Sequence, residues 1–401
     1  MKRTPTRLAM ARSLGVLAGW ASRMTGRGDG VAVPGAVVMA LVPDALAQLS
    51  TDRSITLVSG TNGKLTTTAM IVAALDRPVA TNAIGANLTS GVVTALAASP
   101  HPTAVLEVDE LYLPYIARET NADLVVALNL TRDQLDRMGE VSMVERAWHE
   151  VFATCGTHVV ANATDPHVVA AVGDAPVTWV DPGWSWTDDS VVCPACTALL
   201  ARADGRWFCT CGLHQPDADY CVCGSLLTLP DGATIELDVS LPGAVNIGNA
   251  AFAVAAAAHH GVAAADAVER IARLQDVKGR YSTIVVGGRP ALLLLAKNPA
   301  GWAATLPMLR PDDAVLISVT AQIFDGADTS WLWDVPFEEL AGRVVGAHGD
   351  SRHDLAVRLE VAGADPRVHA DIDALARQLP SAPRLVVVAT YTSFTELRKR
   401  R

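Results

Sequence analysis

The apolar run Ile55–Ser59 passes without a spacer into Gly60-Thr61-Asn62-Gly63-Lys64, and a helical stretch, Thr67–Leu75, follows. Backbone amides of a glycine-rich turn between strand and helix can surround phosphate oxygens. The helix N-terminus adds partial positive charge, and a lysine adds a full one. The order strand, loop, lysine, helix predicts an ATP-phosphate loop carried on an α/β sheet. One position departs from the general pattern. A serine or threonine hydroxyl normally follows the lysine and ligates Mg2+, and here Leu65 stands in that place. Thr66, Thr67 or Thr68 would have to supply the hydroxyl, although each one-residue step turns a helical side chain by about 100°.

The rest of the chain extends this architecture. Short β-like runs at Val79–Thr81, Ala104–Val108, Leu124–Leu128 and His158–Ala161 alternate with helical stretches, which predicts a mostly parallel sheet flanked by helices. Between about Asp189 and Gly224 the composition turns to Cys, Gly, Trp and Asp, so an inserted module is expected over 190–225. Gly243–Gly261 reads as an alanine-rich helix. After Tyr281 a second α/β pattern begins, with candidate strands Leu292–Leu295, Val315–Val319, Val344–Ala347 and Leu385–Val388. Two domains are expected, 1–281 and 282–401, the second Rossmann-like, with no internal repeat.

Charge and hydropathy exclude some functions. A net charge of −10 argues against a broad nucleic-acid-binding face. No uninterrupted apolar stretch reaches the roughly 18 residues of a membrane span. Lys2, Arg3 and Arg7 before a mildly apolar stretch mimic a signal peptide, but Arg12 interrupts it and no small-x-small cleavage site follows. Leu8, Ala11, Leu14, Leu17, Ala18 and Ala21 fall at helical spacing, so a helix packed through that stripe is expected, with its basic face in solvent. A membrane-surface helix is the other reading of the same stretch.

Six of the seven cysteines lie between Cys193 and Cys223. In a cytosolic enzyme such close pairs read as metal ligands rather than disulfides. Tetrahedral Zn2+ takes four ligands, and Cys193, Cys196, Cys209 and Cys211 supply them, making a closed structural site. Cys221 and Cys223 could replace the second pair. Cys155, followed by Gly156 and Thr157, has no pattern that marks a catalytic nucleophile.

Gly60–Lys64 with Thr66-Thr67 resembles the ATP loop of the Mur ligases, which build the peptidoglycan stem peptide. Further segments follow in the family's order: Gly85-Ala86-Asn87-Leu88 with Gly91, Glu107-Val108-Asp109-Glu110 with Leu113-Pro114, Asn129–Arg137, and Leu241-Pro242-Gly243 with Asn246 and Asn249. Lys297-Asn298-Pro299-Ala300-Gly301, Asp325–Asp334 and Thr390-Tyr391-Thr392 complete the series. Together they resemble the MurT branch, the synthetase subunits of lipid II isoglutaminyl synthase, over nearly the whole chain. The resemblance implies a Mur-ligase middle domain, a four-cysteine zinc ribbon and a distinctive C-terminal domain. It implies ATP- and Mg2+-dependent amidation of the D-glutamate α-carboxyl of lipid II to D-isoglutamine. Ammonia would come from a partner glutaminase, GatD, and the enzyme would act in the cytoplasm at the inner face of the membrane.

The resemblance also assigns roles. Glu107, at a strand end, is the expected Mg2+ ligand; Asp109 and Glu110 share its segment, but alternation along a strand keeps all three from entering the site. Asn87 accompanies the nucleotide-binding set. Asn249 is the expected adenine contact, with helix capping by Asn246 as its plainer neighbour. Arg280 would reach phosphates from a hinge, and Lys297 is a cleft candidate. Asp133 is an N-cap or site residue, and Gln134 stands where related Mur ligases have histidine. One aspartate of Asp325–Asp334 would complete the catalytic triad of the glutaminase, Asp334 in preference to Asp328; the alternative makes Trp331, Trp333 and Phe337 ordinary core. Two competitors remain: an amino-acid-adding Mur or folylpolyglutamate-type ligase, and a nucleotide-binding scaffold with weak ATP turnover.

Overall fold

Strands made of consecutive Val, Leu, Ile and Ala with little alternation can be satisfied only where helices cover both faces of a sheet. In the computed structural model, which describes residues 5–25, 30–82, 85–133, 141–274, 281–322 and 328–400, β1 (Ser54–Ser59), β2 (Thr103–Glu107) and β3 (Leu124–Ala127) are buried almost throughout. With β4 (His158–Asn162) and β5 (Val177–Asp181) they form a parallel sheet, whose members pair in the order β5-β4-β3-β1-β2. Val79–Thr81 contributes only one bridge, Ala80 to Ala104. Pro78 before it has no N–H to offer a ladder.

The cysteine-bearing region divides. β6 (Ala201–Ala203) and β7 (Arg206–Phe208) form a separate two-stranded ribbon. β8 (Tyr220–Cys223) instead joins the main sheet parallel to β5, and β9 (Leu226–Thr228) and β10 (Thr234–Glu236) extend it antiparallel to eight strands. Cys221 and Cys223 therefore lie on a sheet strand.

The helices of this unit include α1 (Pro5–Met24), α2 (Val33–Leu41), α3 (Ala45–Ser50), α4 (Lys64–Leu75), α5 (Thr89–Ala98) and α6 (Leu113–Thr120). The expected face of α1 is corrected by the structure. Ala11 is buried as expected, but Leu14 and Leu17 are 48% and 61% exposed. Leu8 packs against the core as expected, and the rest of the inward side is made of small residues: a Cβ on Gly15 would lie 2.7 Å from the Pro34 carbonyl oxygen, and one on Gly19 would lie 2.9 Å from Pro34 Cγ. Hydrophobic spacing located the helix, while the close approach allowed by glycine decided which face turns inward.

Contacts divide the chain into two units, one of Met1–Leu130, Val141–Ser240 and Ala244–Gln275, the other of Thr131–Glu140, Leu241–Gly243 and Asp276–Arg401. Among the described residues the second unit has six strands: β11 (Tyr281–Val286), β12 (Arg289–Leu295), β13 (Ala314–Ser318), β14 (Val344–His348), β15 (Asp365–Val368) and β16 (Leu385–Ala389). Their order is β11-β12-β16-β13-β14-β15, parallel except for the β11–β12 hairpin. Gly287 and Gly288 turn that hairpin with φ of +60° and +81°, a region that disfavours side chains. One core lies on each face: Trp302 packs edge-on against Phe337 at 5.1 Å on one, and Leu293, Leu316 and Val387 fill the other.

Candidate functional site

The expected phosphate loop connects β1 to α4. Gly60 and Gly63 take φ of +142° and +88°, and the helix begins at Lys64. The loop is held from outside by Asn129, just beyond the C-terminal end of β3. Thr61 donates its N–H to the Asn129 carbonyl at 2.9 Å, Asn62 donates its own to the Asn129 side-chain oxygen at 2.9 Å, and the Asn129 amide donates back to the Asn62 carbonyl at 3.0 Å. A Cβ on Gly63 would sit 2.8 Å from Oδ1 of Asn249. Glycine at that position thus makes room for the Asn249 amide as well as for the turn.

The Lys64 ammonium is buried. It donates to the carbonyls of Gly60 and Thr61 and to Oε2 of Glu110 at 2.8 Å. Burial alone would lower its pKa, but Glu110, Glu107 and Asp109 outweigh that and raise it above the ordinary lysine value. Glu107 ends β2 and is buried, its backbone N–H and carbonyl both held by the Asn82 side chain. The Asn82 amide also donates to the Ala86 carbonyl, and the Asp109 N–H donates to the carbonyl of half-buried Asn87. Glu107 and Glu110 thus come to the loop together, one from the strand end and one from the turn that leaves it.

Leu65 is half-buried, while Thr66, Thr67 and Thr68 are buried. The hydroxyls of Thr67 and Thr68 have no hydrogen-bond partner among the described residues. Asn249 is buried within the helix Ala244–His259 and donates to Asn246 Oδ1 at 3.2 Å. Asn246 is the third residue of that helix and is itself buried.

In the second unit, Lys297 follows β12 and its ammonium pairs with Oδ2 of buried Asp133. Oδ1 of Asp133 is buried with no hydrogen-bond partner among the described residues. The Ser330–Asp334 turn presents Asp334, whose carboxylate is 3.0 Å from Arg132. Asp328 is spent on its own turn: one oxygen accepts from the Ser330 N–H at 2.8 Å and the other from the Ser330 hydroxyl at 2.9 Å. Those bonds, the backbone one first, hold its carboxyl below the usual range. Trp333 is exposed, whereas Leu332 and Phe337 are core. The expected roles of Arg280, of Gln134 to Arg137, and of Asp325 fall outside the described residues.

The four expected cysteines converge. The sulfurs of Cys193, Cys196, Cys209 and Cys211 all lie within 4.8 Å of one another. The Cys193–Cys211 separation is 3.7 Å and the Cys196–Cys209 separation 3.4 Å. A tetrahedral ion with metal–sulfur bonds of about 2.3 Å needs sulfurs about 3.8 Å apart, so the donor set fits a metal. The second close pair is therefore Cys209 and Cys211, and not Cys221 and Cys223.

Sequence reasoning names Asn129 only as part of the segment Asn129–Arg137, with no role, and does not single out Asn82 or the Lys64–Glu110 pair. Asn129 directly follows a buried parallel strand, where α/β sheets place their ligand-handling residues, and that position is the available signal. Asn82 follows a segment that forms a single bridge, so nothing in its spacing marks it.

Strand, glycine loop and buried lysine define a P-loop nucleotide-binding α/β protein. The Mur ligase middle domain model matches residues 58–257, and the MurT ligase C-terminal model matches residues 295–394. The chain belongs to the MurT family of Mur-type ligases. It is 29% identical to the lipid II isoglutaminyl synthase (glutamine-hydrolyzing) subunit MurT of Streptococcus pneumoniae, covering 96% of each chain. It is 28% identical to the subunit of the same name from Staphylococcus aureus, covering 96% of this chain and 95% of that one. A pseudomurein peptide ligase type C from Methanothermus fervidus shares the fold with a TM-score of 0.70 at 18% identity, over 88% of this chain and 79% of that one. The Mur-ligase fold implies ATP and Mg2+, and the cysteine cluster is compatible with a bound metal.

Proposed function

We propose that this chain is the ATP-dependent subunit of an enzyme that amidates the α-carboxyl of D-glutamate in lipid II to give D-isoglutamine. The observation that carries the reading is the complete phosphate cradle, Gly60 to Lys64 braced by Asn129, in a chain that aligns end to end with subunits named for this reaction. ATP supplies the phosphoryl group that turns the carboxylate into an acyl phosphate, and ammonia then displaces the phosphate. Lys64 and the loop amides would hold the nucleotide phosphates. Glu107 and Glu110 offer carboxylates of the kind a phosphate-bridging Mg2+ takes. Asn87, Asn249, Thr66 and Thr67 stand as nucleotide contacts, and residues 1–281 and 282–401 as the two domains.

Relatives with this name are subunits of a complex, which supports a partner chain as the ammonia source. We take that partner to be a GatD-like glutaminase, with Asp334 presented to it. Zn2+ is the metal assigned to the cysteine cluster, where four thiolates favour it and leave no open position for catalysis. The site of action is the cytoplasmic face of the membrane that carries lipid II.

The test combines the purified chain with a glutaminase partner, lipid II, glutamine, ATP and Mg2+. Amidated lipid II by mass spectrometry, together with stoichiometric ADP, is the expected result. Absence of both products in every combination would overturn the enzyme reading. Leu65 favours one rival, a nucleotide-binding scaffold. If the wild type is inert and Leu65→Thr alone restores Mg2+-dependent ATP hydrolysis, that rival stands.

A further inference from the structure

We propose that α1 is a lipid-docking helix that seats this chain on an anionic bilayer surface. The inference does not rest on the amidation reading.

Apart from Leu8, which packs against the core, the inside of α1 is made of small residues, and its other large apolar side chains face out. Gly15 and Gly19 press against Pro34, with Ala11 buried beside them. Met10, Leu14, Val16, Leu17, Trp20 and Met24 are between 48% and 69% exposed. At about 100° per residue, these six occupy one continuous arc. Exposed Arg12 and Arg23 mark one edge of that arc and exposed Arg7 the other. A protein that needed only solubility would not place a tryptophan, two leucines and two methionines on the solvent side of a surface helix.

Charge selects the occupant. Lys2, Arg3, Arg7, Arg12, Arg23 and Arg27 are all basic, and no Asp or Glu occurs before Asp29, in a chain whose net charge is −10. A concentrated positive segment on an otherwise acidic protein is complementary to anionic headgroups. A helix with an apolar face edged by arginines and carrying a tryptophan suits the interfacial plane. No helix among the described residues is long and apolar enough to cross a membrane, so the helix would lie on the surface. At about 1.5 Å per residue it would lie flat over roughly 30 Å. Beside it a groove of about 640 Å3 runs between α1, α2 and α5. Arg12 and Arg23 line it together with Ser13, Thr94 and apolar residues that include Val16, Pro34 and Val38. This suits a headgroup phosphate and the start of an acyl chain.

The experiment is vesicle flotation of the full-length chain, with and without its partner subunit. Vesicles of phosphatidylcholine containing phosphatidylglycerol are compared with pure phosphatidylcholine. Wild type should float with the anionic vesicles, at least tenfold less with the neutral ones, and less at high salt. The double variant Leu14→Glu/Leu17→Glu changes only exposed side chains and should lose binding at least tenfold while keeping its thermal unfolding temperature; Arg12→Gln/Arg23→Gln should weaken binding to anionic vesicles selectively. Failure of the wild type to float would overturn the proposal, as would equal flotation of the leucine variant. A protein occupant is the other outcome: if the leucine variant only converts an oligomer to a monomer by light scattering and leaves flotation unchanged, the face belongs to a second copy.

Discussion

The ammonium of Lys64 lies 2.8 Å from Oε2 of Glu110, and both side chains are almost fully buried. Such a pair is costly to break, because the remaining charge stays buried without its hydrogen-bonded counter-ion. Glu110→Gln should therefore destabilise the chain without nucleotide by about 3 kcal/mol. The pH window follows from the raised pKa of Lys64. A raised value stabilises the fold fully below the unfolded lysine pKa and loses that stabilisation as pH rises through the native one. The difference between wild type and variant should stay constant from pH 7 to 9 and shrink only at strongly alkaline pH. Phosphates can replace the lost carboxylate, so ATP with Mg2+ should raise the melting temperature of the variant more than that of wild type. An equal ATP-induced shift would count against Lys64 exchanging partners on binding.

Gly63 gives a second test of the cradle. Alanine there would be strained at φ +88° and would press its Cβ to within 2.8 Å of Asn249 Oδ1. Gly63→Ala should weaken ATP binding tenfold or more, measured by calorimetry. Adding Asn249→Ala should recover part of the lost thermal stability, since it removes the clash, but not the affinity. Full recovery of affinity would argue that Asn249 is a spacer and not a nucleotide contact.

These two tests also mark where sequence reasoning reached and where it stopped. The run Ile55–Lys64 revealed the loop because strand, glycines and lysine are contiguous, and Cys193 to Cys211 revealed a cluster because ligand chemistry tolerates few spacings. The resemblance singles out Glu107, and strand alternation argues only that Glu107, Asp109 and Glu110 do not all enter the site. In fact β2 ends at Glu107, so Glu110 lies on a turn where alternation no longer applies. Asn129 reaches the loop from a strand whose position beside β1 is a fact of topology, which spacing does not encode. For α1 the period is right and the face half right: Leu8, Ala11 and Ala18 turn inward, while Leu14 and Leu17 face out because the close approach of Gly15 and Gly19 to Pro34 rotates the inward side. β8 lies inside the expected module 190–225, where Cys, Gly and Asp hide a sheet strand, and β9 and β10, just beyond it, are three residues each, too short for a periodic signal.

The cysteine cluster predicts about one zinc per chain in reduced, purified protein. Cys193→Ser should lose that zinc, measured by atomic emission, and lower the melting temperature. ATP binding should persist, because no strand of the sheet around the phosphate loop contains a cluster cysteine. Much less than one zinc in the wild type would remove the assignment. Loss of ATP binding together with the metal would mean that the ribbon supports the nucleotide site.

Asp334 and Asp328 separate by what their carboxylates already hold. Asp334 is partly exposed and meets Arg132, while Asp328 is occupied by Ser330. Asp334→Asn should abolish glutamine-dependent amidation and leave ammonium-dependent amidation within a few-fold of wild type. Asp328→Asn should cost about 1 kcal/mol of local stability and leave both activities nearly unchanged. The reverse pattern would transfer the partner-facing role to Asp328.

His260 makes the last prediction, on acid stability. Its Nε2 lies 2.7 Å from the Thr56 hydroxyl and its Nδ1 lies 3.4 Å from Arg77. Burial first, then the charges of Arg77 and His259, push its pKa down to about 4. A depressed value favours the neutral ring in the folded state. Its stabilisation is complete above the unfolded histidine pKa of about 6.5 and is lost as pH falls towards 4. Allowing for partial solvent access, the loss should be on the order of 1–2 kcal/mol. His260→Gln keeps a polar partner for Thr56 and removes the titration. Denaturant unfolding at pH 7 and pH 4.5 should therefore show a smaller drop for the variant than for wild type by that amount. Equal drops would mean that protonation of the ring is relieved by local opening near Arg77 before the fold feels it.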